Sequence, residues 1–455
     1  MPFFLTLFAL VAFGPFTIAA AQNLAPRADS RFKVDLLLIV AHPDDESAIS
    51  GFLARTVLDS HKRVAVIYGT RGDGGGNAVG PEQAAALGAI REIEARKATA
   101  ALGIDLVWFL DGKDTPSQDV LQSLETWQHG ASLERTVRLV RLTRPEVIIS
   151  WLPQFVIGEN HGDHQAAGVL ATEAFDLGGN PTAFPSQVTA ARNPTGDANL
   201  TEGLGPWQPK KLYFFSDRSD GALFREAGPR YRATDVSAAT QAPYYQTAAA
   251  SLANHLTQGT GARLATEAVK SGTYDRYLKA MAEFSGSADE QLILGKSLVG
   301  GTPTGDVFDG VGDRPVEWRP LQASPSGTVP TISLGGPWRF YREFTRVHEI
   351  EEATGLIGLE LGVKPGSRIG VPIVIYNPGD ESSVDLAVTL PSGWTEQSGS
   401  GSYTVPAGAT SDLQIHLTAP ATEGPLAALV VTLSRQGRVI GTTRIQVRVL
   451  ATMPL

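Results

Sequence analysis

His42-Pro43-Asp44-Asp45-Glu46 gathers an imidazole and three carboxylates directly after the apolar run Leu36 to Ala41. Like charges this close shift one another's pKa values, and a cation among them relieves the repulsion. The chain has no cysteine, so thiolate ligands and disulfides are excluded and a metal must be held by imidazole and carboxylate. Its 8 histidines include one close pair, in His161-Gly162-Asp163-His164, which follows a second apolar run ending at Trp151. Two histidines and a carboxylate around an open position make a catalytic zinc site, and the same donors suit iron(II). Such an ion lowers the pKa of water towards about 7, and a free carboxylate beside it can take the proton as the water attacks a carbonyl. The adjacent Asp44 and Asp45 fit that division, one on the metal and the other free.

The elements that would position these residues follow from hydrophobic pattern. Asp35 to Val40 and Arg63 to Tyr68 read as buried parallel strands, because their apolar residues run on without alternating, and Asp105 to Leu110 and Glu146 to Trp151 read as further strands. Helices are expected over Ser47 to Leu58, Pro81 to Leu102, Leu133 to Leu142 and from near His164 onward. Strand and helix alternate, which implies an α/β fold: a Rossmann-like open, mostly parallel sheet with helices on both faces. Loops after successive strands then share one edge of the sheet, so the His42 and His161 loops can converge. The glycine-rich stretch Gly69 to Gly76 is too irregular for a phosphate-binding signature. Pro181 to Pro209 reads as a surface excursion, Lys211 to Phe215 as a further strand, and Tyr244 to Gln258 as a helix.

The C-terminal part changes period. Leu413, Ile415 and Leu417, then Ile445, Val447 and Val449, alternate with polar or outward residues, as half-buried antiparallel strands do. With four more candidates between residues 356 and 433, they suggest an all-β Ig-like sandwich with almost no helix. The expected division is a signal peptide over 1–21, an α/β domain over 30–314, a connecting segment over 315–352 and the sandwich over 353–455. Trp318 and Trp338, near the junction, suit packing between the two domains better than stacking on a sugar.

With 455 residues, 19% charged residues and a net charge of −9, the chain is an ordinary globular protein with no basic run, which argues against nucleic acid as a partner. Its first charged residue is Arg27, and the apolar lead ends in Ala19-Ala20-Ala21, as a secretory signal does. The expected location is therefore secreted or periplasmic, with no integral membrane domain after cleavage; an uncleaved anchor is the rival reading. The sequence carries no mark of oligomeric state.

Ala41-His42-Pro43-Asp44-Asp45-Glu46, followed by His161-x-Asp163-His164, resembles the PIG-L (LmbE-like) family of zinc-dependent deacetylases, which act on N-acetylglucosamine conjugates. Thr70-Arg71-Gly72-Asp73, Arg91-x-x-Glu94-x-x-x-Ala98 and Asn254-His255-Leu256-Thr257-Gln258 resemble further family segments, so the likeness covers about Val34 to Arg314. It implies that His42, Asp45 and His164 hold Zn2+ (Fe2+ suits the same donors), and that Asp44 is the general base. His161 would stabilise the oxyanion and help protonate the leaving amine. Arg71 would contact substrate, Glu46 and Asp163 would support the ligands from behind, and His255 is a candidate for the same support. Gly162 stands where several members carry proline, an exchange expected to loosen the loop. The substrate implied is an N-acetylated sugar or glycoconjugate. Two other functions suit the same residues: a metal hydrolase of another amide or ester, and a secreted carbohydrate-binding protein whose metal site is vestigial. The sandwich resembles small β domains attached to some glycoside hydrolases.

Overall fold

The computed structural model describes residues 29–155, 161–189, 202–216, 226–285, 289–321, 327–354 and 360–450. The apolar lead expected to be a signal peptide lies outside them. No helix among the described residues is long and apolar enough to cross a membrane.

The N-terminal sheet is built from β1 (Leu36–Val40), β2 (Val64–Thr70), β3 (Leu106–Gly112), β4 (Val147–Trp151) and β5 (Lys211–Phe215). Short strands β6 (Arg230–Arg232) and β7 (Asp289–Gln291) pair separately, and β8 (Ile293–Ser297) closes the sheet antiparallel to β5. The order is β3-β2-β1-β4-β5-β8, with β1 to β5 all parallel. Every residue of β1, β2, β4 and β5 is buried, which explains why these strands do not alternate in sequence. The strand order reverses between β1 and β4, and in open sheets of this kind the ligand crevice lies there, outside the carboxyl ends.

Helices α1 (Ser50–Leu58), α2 (Ala84–Ala101), α3 (Val120–Thr126), α4 (His129–Thr143), α5 (Gly162–Gly178) and α6 (Pro185–Val188) connect the strands. The helix expected from Ser47 begins instead with a 3-10 turn over Asp45–Ile49. The helix expected over Tyr244 to Gln258 stops early, as α7 (Tyr244–Leu252), and a separate 3-10 turn follows at Leu256–Gln258. Then come α8 (Thr260–Ser271) and α9 (Asp275–Ser285). The described ends of the excursion over 181–209 are packed rather than merely superficial: Gln187, Leu204 and Gln208 are buried, and Gln187 Oε1 accepts from the buried Arg141 at 2.9 Å.

The C-terminal unit comprises β9 (Thr331–Leu334), α10 (Pro337–Val347), α11 (Glu351–Thr354), β10 (Glu360–Val363), β11 (Arg368–Tyr376), β12 (Ser382–Thr389), β13 (Thr395–Ser398), β14 (Gly401–Val405), β15 (Thr410–Thr418), β16 (Gly424–Arg435) and β17 (Arg438–Val449). Its two sheets, β10-β17-β16-β12-β14 and β13-β15-β11-β9, enclose a core that includes Ile373, Ile415, Leu417, Leu429 and Val447. The segment expected merely to connect the domains is itself structural. β9 pairs with β11 inside the sandwich, while Tyr341 and Phe344 of α10 are buried in the α/β core. Trp338 packs against both cores, and Trp318 Nε1 donates to the Asp176 carbonyl at 2.7 Å.

Candidate active site

The backbone after β1 turns sharply: Asp44 has φ 116°, and the 3-10 turn follows at once. That turn folds Asp45 back onto the strand end. Its Oδ2 accepts from the N–H groups of Ala41 (2.8 Å) and His42 (2.9 Å) and from Trp151 Nε1 at the end of β4 (2.7 Å). Three donors hold one oxygen, and Oδ1 is left facing His164 Nε2 at 3.2 Å and His42 Nδ1 at 3.6 Å.

His164 arrives on the first turn of α5, which follows β4. Its ring stacks on Trp151 with centroids 4.1 Å apart and planes 9° from parallel. The helix can lie this close because of Gly168: a Cβ there would sit 2.3 Å from the Trp151 carbonyl oxygen. His161 is the N-cap of α5, its Nδ1 accepting from Asp163 N at 3.4 Å. Gly162 does not loosen this turn. It is buried, its N–H donates to the Ser117 carbonyl at 2.8 Å, and a Cβ would meet Ser123 Oγ at 2.5 Å.

The structure thus brings His42, Asp44, Asp45, His161 and His164 to one cavity of about 710 Å³. Donor atoms of His42, His161 and His164 lie within 4.8 Å of one another, as do those of His42, Asp114 and Asp163. Asp114, after β3, is a site residue that sequence reasoning missed. Its Oδ1 is 3.2 Å from His42 Nε2, and Asp163 Oδ2 is 3.3 Å from the same nitrogen. Asp163 also accepts from Thr115 N at 2.8 Å, while its Oδ1 is buried with no hydrogen-bond partner among the described residues. This crowd of imidazole and carboxylate donors, with a buried orphan oxygen, fits a divalent cation such as zinc or iron(II).

Glu46 is fully buried behind the loop. His255 Nε2 meets its Oε1 at 2.5 Å, and Tyr68 donates its hydroxyl to Oε2 at 2.7 Å. The turn that carries His255 also donates from Gln258 Nε2 to the Pro43 carbonyl (2.6 Å) and from Thr257 Oγ1 to Glu94 (2.6 Å). Arg91 holds the glycine-rich loop through the carbonyls of Gly72 (2.7 Å) and Gly76 (2.8 Å). Arg71 is not brought to the site. It pairs with Glu92 at 2.8 Å and with Asp111, lies over the Phe109 ring and does not line the cavity, whereas Arg91 does.

Burial and the neighbouring Asp45 charge push the Asp44 carboxyl up to about 7. Burial opposes ionisation of Asp45 too, but His164 and His42 outweigh it and hold Asp45 well below the usual range. For His42, burial disfavours the cation, yet the carboxylates of Asp114, Asp163 and Asp45 raise it well above its ordinary value. Burial, together with the charges of His164 and His42, lowers His161 to about 3. The two adjacent aspartates therefore differ: the surroundings favour the charged form of Asp45 and disfavour that of Asp44.

The PIG-L family model, described as GlcNAc-PI de-N-acetylase, matches residues 37–175. A 1D-myo-inositol 2-acetamido-2-deoxy-alpha-D-glucopyranoside deacetylase of Thermobifida fusca is 27% identical over 194 residues, which are 39% of this chain and 60% of that one. The enzyme of the same name from Geodermatophilus obscurus is 29% identical over 165 residues, 33% of this chain and 55% of its own length. The match therefore spans less than two thirds of either curated relative. Among solved structures, the N,N'-diacetylchitobiose deacetylase from Pyrococcus horikoshii aligns at 14% identity with a TM-score of 0.38, covering 57% of this chain and 84% of that one. The segment matched by the family model runs from β1 into α5 and contains every metal-site residue described above: the chain carries a PIG-L family domain over residues 37–175.

Proposed function

We propose that the chain is a metal-dependent amide hydrolase that removes the acetyl group from an N-acetylglucosamine-type sugar or conjugate. The observation that carries this reading is the asymmetry of Asp44 and Asp45, one free and near neutral pKa, the other pinned by three N–H donors beside two histidines. His42, Asp45 and His164 would hold the ion, with Asp114 and Asp163 orienting His42 through its other nitrogen. When bound, the ion supplies Lewis-acid activation of water and of the amide carbonyl.

The chain's own groups do the rest. Asp44 takes a proton from the attacking water, and the acid it becomes can return that proton to the departing nitrogen. His161 uses Nδ1 to accept the Asp163 N–H, so its proton resides on Nε2, and burial keeps the ring neutral. A neutral imidazole suits donation of a hydrogen bond to the developing oxyanion. The resemblance also gives His161 a part in protonating the leaving amine, beside the acid formed at Asp44. Acetate and a free amine leave. The relatives' names support the sugar class.

The test is acetate release from N-acetylglucosamine conjugates by zinc-reconstituted protein, with metal content measured alongside. Asp44→Asn should retain the metal and lose roughly 10²- to 10⁴-fold in turnover. Full turnover in that variant would remove Asp44 from the role of base, and activity unaffected by exhaustive chelation would remove the metal.

A further inference from the structure

The cavity is larger than the reaction needs, and its two ends differ in chemistry. One end holds the histidines and aspartates. The other runs between α7 and α9 and is walled by Tyr245, Ala248, Tyr277, Leu278 and Met281. Apart from Ala248, these side chains belong to, or pack on, a small apolar cluster of their own, formed with Ala249, Leu252, Ala265 and Ala268. Tyr245, Leu278 and Met281 are only half-buried, so apolar surface faces the cavity.

Most polar groups of Asp289, Glu290 and Gln291, which border this end, are committed elsewhere; Gln291 Oε1 is buried and has no hydrogen-bond partner among the described residues. Both oxygens of Glu290 accept backbone N–H groups at the start of α1, from Gly51 at 2.7 Å and Phe52 at 2.5 Å. Asp289 pairs with Arg230 at 3.0 Å, and Gln291 spends its amide nitrogen on three backbone carbonyls. What this end offers a ligand is therefore chiefly apolar wall. The volume of about 710 Å³ lies in the range of about 300–1,000 Å³ that accommodates drug-sized ligands. The turn at Leu256–Gln258, which follows α7 and holds the Pro43 carbonyl, fixes this wall relative to the loop of Asp44 and Asp45.

We propose that the α7–α9 end of the cavity is a subsite for an apolar aglycone, so that the preferred substrate is an amphiphilic conjugate: an N-acetylated amino sugar bearing an alkyl or aryl group. The acetamide lies at the histidine end and the apolar group lies against Tyr245, Leu278 and Met281. The inference rests on the deacetylase reading for the polar end and on its own observations for the apolar one.

Methyl, butyl, hexyl and phenyl glycosides of N-acetylglucosamine, as both anomers, test it in two measurements on zinc-reconstituted protein: acetate release and calorimetric binding. Burial of each methylene contributes up to about four-fold in affinity, so kcat/KM and binding should rise at least about ten-fold from methyl to hexyl. The phenyl glycoside distinguishes an aromatic from an aliphatic preference. Met281→Gln and Leu278→Gln should each flatten the hexyl-to-methyl ratio. Deacetylation with a flat series overturns the subsite and leaves the proposed function standing. Chain-length-dependent binding without acetate release supports the subsite and overturns the deacetylase reading. Neither release nor chain-length dependence overturns both.

Discussion

At the scale of single residues, the site depends on how Asp45 divides its two oxygens. Oδ2 is consumed by Ala41, His42 and Trp151, and Oδ1 is presented to His164 and His42. Asp114 pairs with His42 in a related way, and burial notwithstanding, the His42 hydrogen bond lowers its carboxyl to about 2. Asp114→Asn keeps the shape and loses the charge, so metal affinity measured by chelator competition should fall about 10- to 100-fold, with activity restored by excess metal. Unchanged affinity would mean that Asp114 does not orient His42. The five residues His42, Asp44, Asp45, His161 and His164 were legible because chemistry is concentrated in two short strings. Asp114 was not, since one aspartate shortly after a strand has no spacing to mark it. Its position near the carboxyl end of β3 was the available signal. A motif gives the sequence position of Arg71 and not its partners, and in the structure its guanidinium is paired with Glu92 and Asp111.

At the scale of elements, α5 is the decisive piece, since it carries His161 at its cap and His164 in its first turn. Its contact with β4 depends on an absent side chain. Gly168→Ala would place a methyl group 2.3 Å from the Trp151 carbonyl oxygen, and the helix must move away. Overpacking of this kind costs about 1–3 kcal/mol. The expected result is a lower melting temperature together with weaker metal binding, because displacement also breaks the stack of His164 on Trp151. Loss of stability with undisturbed metal affinity would separate the helix from the site. Continuous apolar runs made the parallel strands easy to read. The break after Leu252 was harder, because nothing in the local pattern signals that His255 must leave the helix to reach Glu46, which is distant in sequence and buried. That contact is tertiary, and tertiary demands override helical pattern.

At the scale of the whole molecule, the reversal of strand order between β1 and β4 explains why the two histidine loops meet; that these loops share one edge followed from the alternation of strand and helix, but the strand order did not. The mode of attachment of the sandwich did not follow, because α10 has to serve two cores at once and its sequence does not say which face meets which. Trp338 touches both cores, and Tyr341 donates its hydroxyl to Gln165, beside the proposed metal ligand His164. Trp338→Ala should therefore weaken the junction, turning one calorimetric unfolding transition into two. A single undivided transition would show that the junction does not depend on this side chain. Thermal stability also bears on the turn at Asp44. A side chain at φ 116° is sterically disfavoured, and such strain persists only where the surrounding fold enforces it. Asp44→Gly should then melt higher than Asp44→Ala by about 1 kcal/mol in stability, though both have lost the carboxylate. Glycine here would relieve the strain and remove the carboxylate that the proposed mechanism needs as its base, so stability and the proposed turnover make opposite demands on this one position.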